Sequence, residues 1–394
     1  MFFIKLLKLL KVIYVSRIHF TAPPKNRLVI FDGQTIEMLS KVLERLDYFI
    51  LETRLERIKD IYITKKICFR ILRNFKKNFF SSYLIALLEE IDPKVIFTFV
   101  DNHYKFSEFA LTHYKKYRFL ALQNGARYEH KIFKLLNKKK LNYEIKRFCI
   151  PNYLCFGSHE IDDFKKTNQL VKKFKAVGSL KLLNYLNYKK NKSILKKKYD
   201  ILLISDIYCW DAILEKLNFP IEKGLINLIK FTLKFAKKNN LKIKIAARNT
   251  KEEFKKEKEF YFRNLNPSEY NYLLKNILFR KNYFQTYEYM EKSKVVIGTM
   301  STMLRENLAL KGKSFACNYL KTDIFDFPIK GLCFTKKEDY LSFEKKLNKI
   351  ISISHKDYLK NLSKNPTYII NPNTLKKQNT IHLVRSELNL LLKK

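Results

Sequence analysis

Six short apolar runs, near residues 27–31, 47–51, 95–100, 118–122, 153–156 and 174–177, are separated by longer stretches of mixed polarity, and after residue 199 the same alternation begins again. Strands that alternate with helices predict parallel sheets, because each strand needs a crossover helix to return the chain to the same edge. The chain of 394 residues exceeds one ordinary core, so the expected fold is α/β, with two doubly wound Rossmann-like domains facing across a cleft. Residues 179–199 carry few strand signals and many lysines and mark the boundary. The expected divisions are an N-terminal arm at 1–26, a first domain at 27–185, a second at 199–352 and a helical tail at 353–394. Helices are predicted near 35–46, 64–90 and 105–116, then at 222–239, 251–262 and 284–292, and a capping box at Thr335-Lys336-Lys337-Glu338 predicts another through about Ile351.

The richest single unit is Val295 to Lys313. An apolar β-branched strand enters, Gly298-Thr299 breaks it, and Ser301-Thr302 cap a helix whose last turn runs to Gly312. The first N–H groups and the dipole of such a helix suit a phosphate. With Thr302 as the cap, Glu306 falls one position beyond the capping-box place. It is either a dipole-compensating surface carboxylate or an acceptor for the hydroxyls of a ribose.

In open α/β sheets, ligands bind beyond the carboxyl ends of the strands. Polar residues stand at six such places: Asp32-Gly33, Asp101-Asn102-His103, Gln123-Asn124-Gly125-Ala126-Arg127, Ser205-Asp206, Arg248-Asn249 and Thr299 to Thr302. Asp101, ending an apolar strand with His103 close by, is the leading general base, or else a cap for the helix that follows. Asp32 and His130 are reserves. Asn124-Gly125 is either a tight turn requiring positive φ or a set of backbone N–H groups that, with Arg127, faces the phosphates or the acceptor of a transferred group. Arg248 is a diphosphate clamp or the partner of Glu252 or Glu253.

The formal charge of +42 raises the question of nucleic acid. Only 15 of the 79 basic residues are arginine, and the lysines are spread along the chain together with abundant Asn, Ile, Phe and Tyr. That pattern reflects codon composition more than a dedicated nucleic-acid module, which would favour clustered arginine, and no specific nucleic acid is expected. A basic surface does suit anionic lipid. Met1 to Phe20 is apolar with Lys5, Lys8 and Lys11 interrupting it too often for a membrane span, so it either lies on the membrane surface or packs on the domain. The six cysteines show no Cys-x-x-Cys pair and the seven histidines no metal-ligand spacing. A reduced, cytoplasmic protein with ordinary buried thiols and no metal is expected, peripheral on the inner membrane if the arm binds lipid.

The strand, Ser-Thr and Glu306 unit resembles the donor-nucleotide site of GT-B glycosyltransferases. Leu28 to Gly33, Phe97 to Asn102 and Leu120 to Arg127 resemble the surface-carbohydrate (O-antigen) biosynthesis proteins of bacteria. The resemblance implies a metal-independent glycosyltransferase of polysaccharide or lipopolysaccharide assembly that needs no cofactor besides its nucleotide-sugar substrate. Gly298, Thr299, Ser301, Thr302, Glu306 and Arg248 would hold the donor. Asp101, Asp32 and His103 would serve catalysis, with Asn102, Gln123, Asn124, Gly125 and Arg127 toward a glycan or lipid-linked acceptor. The alternatives are a nucleotide-sugar 2-epimerase, a polyol-phosphate transferase, or a non-enzymatic binder of nucleic acid or membrane. No histidine lies between Asp200 and Glu338, which disfavours the phosphotransferase.

Overall fold

The computed structural model describes residues 12–73, 79–139, 147–190, 196–207, 217, 219–376 and 379–393. Lys5, Lys8 and Lys11 of the N-terminal arm lie outside them, as do Lys140 and Cys209. Two compact units divide the chain: residues 1–156, 160–181 and 373–394, and residues 157–159 and 182–372.

The strands, in chain order, are β1 (Arg17–His19), β2 (Leu28–Phe31), β3 (Phe49–Leu51), β4 (Asp60–Tyr62), β5 (Val95–Thr98), β6 (Arg118–Leu122), β7 (Asn152–Cys155) and β8 (Lys173–Ala176). The second unit adds β9 (Tyr199–Ile204), β10 (Ile243–Ala246), β11 (Ile277–Leu278), β12 (Ser293–Gly298), β13 (Lys313–Cys317) and β14 (Phe334–Thr335). The first unit has the order β3-β2-β5-β6-β7-β8 and the second β11-β10-β9-β12-β13-β14, every pairing parallel. All four residues of both β2 and β5 are buried, as a sheet covered by helices on both faces requires.

The first unit also holds a small parallel pair, β1 with β4, that the sequence reading did not predict. The predicted helix at 64–90 is two helices, Lys65–Arg73 and Phe79–Ile91. Two more helices were not predicted: Ser158–Lys166 lies between the predicted strands at 153–156 and 174–177, and Leu180–Lys189 lies in the stretch read as the boundary. Thr335 does not cap a helix, because β14 pairs with β13 there. The helix begins at Tyr340, capped by Asp339, whose Oδ1 accepts from Ser342 N at 2.9 Å. Glu338 instead accepts from Asn227 Nδ2 at 2.6 Å.

The final helix, Thr380–Lys393, belongs to the first unit. Thr380 Oγ1 donates to Val177 O at 2.7 Å, and Glu387 takes Lys173 and Lys175, each at 2.7 Å. In the second unit, Gly224 lets the helix Ile221–Lys238 approach the chain after β13, where a Cβ would stand 2.7 Å from Tyr319 O. Cys149, Cys155, Cys317 and Cys333 are buried and Cys68 is exposed.

Candidate functional site

In the first sheet, the strand order reverses between β2 and β5, and polar side chains gather at that edge. Asp32 follows β2 with φ 69, a left-handed conformation that Asp tolerates better than most residues. Its buried Oδ2 accepts from Arg54 Nε at 2.8 Å and lies 3.5 Å from His103 Nε2, while Oδ1 accepts from Gln34 N at 2.9 Å. His103 Nε2 also meets Thr53 Oγ1 at 2.9 Å. Burial pushes the His103 imidazole down to about 4, with Arg54 and Lys105 adding to the effect and Asp32 opposing it. The ring is therefore neutral at pH 7.

Glu52 follows β3 and completes the group, its Oε2 accepting from Gly33 N at 3.3 Å. A Cβ on Gly33 would run into Glu52 Oε1, so glycine is what lets the carboxyl lie over the turn. Burial raises the Glu52 carboxyl above its usual range, and the neighbouring Asp32 adds to this against the pull of Arg57, the Gly33 N–H and Arg54. Glu52 is only part-buried. The sequence reading missed it, although an acidic residue directly after the apolar run Phe49–Leu51 was the available signal.

Asp101 stands in a different setting. Its carboxylate accepts from Arg127 Nε at 2.7 Å, from Arg127 Nη2, from Tyr153 OH at 2.8 Å and from Asn124 N at 3.1 Å. Burial works to lower the Arg127 guanidinium, but Asp101 outweighs it and holds the group firmly charged. Arg127 Nη2 also reaches Asn124 Oδ1, closing the network. The carboxylate is thus filled by four donors, and His103 turns to Asp32 rather than to Asp101.

The remaining first-unit residues are spread more widely. Asn102 donates to Glu129 at 2.9 Å. Gln123 is buried, with Oε1 accepting from Phe156 N at 2.7 Å and Nε2 donating to Gly125 O at 2.8 Å. Neither Asn124 nor Gly125 has positive φ, so the predicted tight turn does not form. His130 lies in the helix Glu129–Lys138, its Nε2 3.5 Å from Asp163, outside the Asp32 group.

In the second sheet, the reversal falls between β9 and β12. Ser301, not Thr302, is the N-cap of the helix Thr302–Ala309, its Oγ accepting from Met303 N at 3.3 Å. The helix stops before Gly312, and Lys311 takes the left-handed conformation at φ 60. Asp206, after β9, accepts from Thr299 N at 3.1 Å and Met300 N at 3.2 Å through a single oxygen, Oδ2. Burial raises the Asp206 carboxyl, opposed by these N–H groups, by the charge of Arg248 and by the Ser301 N–H. The turn is therefore an anion-receiving nest with a carboxylate already in it, and Arg248, exposed after β10, acts electrostatically on that carboxylate.

Glu306 is buried, its Oε2 accepting from Tyr287 OH at 2.8 Å. Tyr287 stacks on Tyr185 with ring centroids 4.9 Å apart. A further buried carboxylate, Glu257, accepts from Ser205 Oγ and Tyr261 OH, both at 2.6 Å, and from Asn249 Nδ2 at 3.2 Å. It ties the end of β9 to the loop after β10, and the sequence reading did not single it out.

Two six-stranded parallel sheets, each with polar groups at its reversal point, define a GT-B-type α/β fold. Among solved structures, the chain is similar to UDP-GlcNAc 2-epimerase from Neisseria meningitidis bound to UDP-GlcNAc. Identity is 13%, the match covers 93% of this chain and 99% of that one, and the TM-score is 0.52. It is similar also to the UDP-GlcNAc 2-epimerase of Methanocaldococcus jannaschii in complex with UDP-GlcNAc and UDP, at 13% identity, 92% and 99% coverage and a TM-score of 0.50. No family model matches the chain, and no curated protein matches its sequence.

Proposed function

We propose that this protein is a nucleotide-sugar-dependent glycosyltransferase of bacterial surface-polysaccharide assembly, requiring no cofactor and acting on a glycan or lipid-linked glycan. The observation that carries the reading is the turn after β12, where two backbone N–H groups converge on one anionic oxygen that also feels the charge of Arg248. A donor diphosphate presents the same kind of oxygen. On binding, it takes the Thr299 and Met300 amides in exchange for Asp206, and Arg248 supplies the charge that stabilises the departing nucleotide. The solved relatives with bound UDP-GlcNAc or UDP support a nucleotide sugar as the ligand of such a fold.

On the acceptor side, the base is proposed to be the Asp32, His103 and Glu52 group rather than Asp101. Asp101 is committed to Arg127, whereas Glu52 is reachable and its carboxyl is raised toward the range in which a base works. That same group favours a second reading, nucleotide-sugar epimerisation, which needs several acid-base residues.

The test is thermal stabilisation of the purified protein by UDP, GDP, CDP, CMP and their sugar conjugates, compared with Arg248→Ala. Ligand at 100 times Kd contributes about 2.7 kcal/mol. One nucleotide is expected to raise Tm by several degrees, and the variant to lose most of the gain. An equal response in Arg248→Ala, or no response to any nucleotide, refutes the site. Conversion of a nucleotide sugar to its epimer without acceptor selects the second reading.

A further inference from the structure

We propose that the surface built from residues 13–20, Ile63 and the outer face of the helix Lys65–Arg73 docks this protein on an anionic lipid surface. In that helix, Ile67 and Ile71 face inward, while Phe69 is 66% and Leu72 75% exposed, flanked by exposed Lys65, Lys66 and Arg73. The strip before it repeats the pattern: Tyr14 is 90% and Phe20 77% exposed, with Arg17 beside them. The two strips are joined. β1 pairs with β4, and Ile63 N donates to His19 O at 2.8 Å, so the exposed Phe20 and Ile63 end together one residue before Thr64 leads into the helix.

Large apolar side chains turned to water carry a cost that a soluble surface usually avoids, and a patch of them ringed by cations matches the interface of a bilayer. No Asp or Glu occurs in residues 12–20 or 63–73. The acids nearby are engaged at the rim: Asp60 with Arg17 and His19, and Glu89 and Glu90 with Arg73 and Arg70. Charge selects lipid over a second copy of the chain, because an isologous dimer would set the same cations against each other.

The experiment is co-sedimentation of the full chain with vesicles of phosphatidylcholine alone or containing phosphatidylglycerol, at low and high salt, for the wild type and Phe69→Ser/Leu72→Ser. The double variant leaves the net charge at +42, so any loss reports apolar insertion rather than general attraction. Both side chains are exposed, and an unchanged Tm checks that the fold is intact. Wild type is expected to bind the anionic vesicles and to stay partly bound at high salt, with about a tenfold weaker apparent affinity in the variant. Equal binding by both proteins, no binding by the wild type, or conversion of a dimer to a monomer by the variant in light scattering would each overturn the proposal. Vesicle binding requires neither donor nor acceptor, so its outcome is separate from that of the nucleotide screen.

Discussion

Replacing Asp101 by Asn separates a structural carboxylate from a catalytic one. The Asp101 carboxylate accepts from Arg127 Nε and Nη2, Tyr153 OH and Asn124 N, and Arg127 is only 7% exposed. The amide keeps the shape but leaves a buried guanidinium without its counter-charge, and it turns one acceptor position into a donor facing other donors. Breaking a buried pair in this way costs about 3–5 kcal/mol. For a unit of this size, each kcal/mol moves Tm by about 2–4 °C, so a fall of about 6–20 °C is expected. Calorimetry on wild type, Asp101→Asn, Arg127→Met and the double variant measures it. The double variant should be less damaged than the sum of the singles, because it no longer holds a lone buried charge. A Tm change under about 2 °C in Asp101→Asn, joined to loss of activity, would refute this reasoning and return Asp101 to the role of base.

The His103 imidazole, lowered to about 4 from 6.5, means that the unfolded chain binds a proton in that window and the folded one does not. Its contribution to stability is fully present above pH 6.5 and is lost as pH falls toward 4, by about 3 kcal/mol; urea unfolding at both ends should show a shallower pH slope in His103→Gln, and an identical slope would contradict the burial argument. Glu52→Gln should lower transfer activity by about 10² to 10⁴ while nucleotide binding persists; an unchanged rate removes Glu52 from the chemistry. The acidic limb of the wild-type rate profile should lie above the ordinary 4.5 of a glutamate, because the carboxyl is raised and works deprotonated. Tyr287→Phe withdraws a donor from buried Glu306 and should cost about 1–3 kcal/mol by urea unfolding; no loss would mean that the bond contributes nothing.

The strands were legible because a parallel sheet covered on both faces writes itself as unbroken apolar runs such as Leu28–Phe31 and Val295–Ile297. Caps were legible only to within a residue: Ser301 and Thr302 are chemically equivalent until the chain path selects one. The Thr335 capping box failed because pairing with β13 outweighed a local signal. The partners of Asp101 were hidden for a related reason. Nothing in the sequence near it reveals that Arg127 folds back onto it from 26 residues away. Glu52 was missed because β3 is three residues long and its polar end looked like ordinary loop. Tertiary partners, not local chemistry, decided each of these cases.

The last helix, Thr380–Lys393, reaches its place against Val177, Lys173 and Lys175 only after the whole second unit has been passed along the chain. The ribosome therefore releases the two units in an order opposite to the one in which they begin. Residues 182–372 can close their own core while the first unit still lacks a helix, whereas synthesis normally lets the N-terminal domain finish first. An expressed fragment ending at residue 181 would leave exposed the apolar residues Val384 and Leu388 now cover, and such a fragment would be expected to call on chaperones.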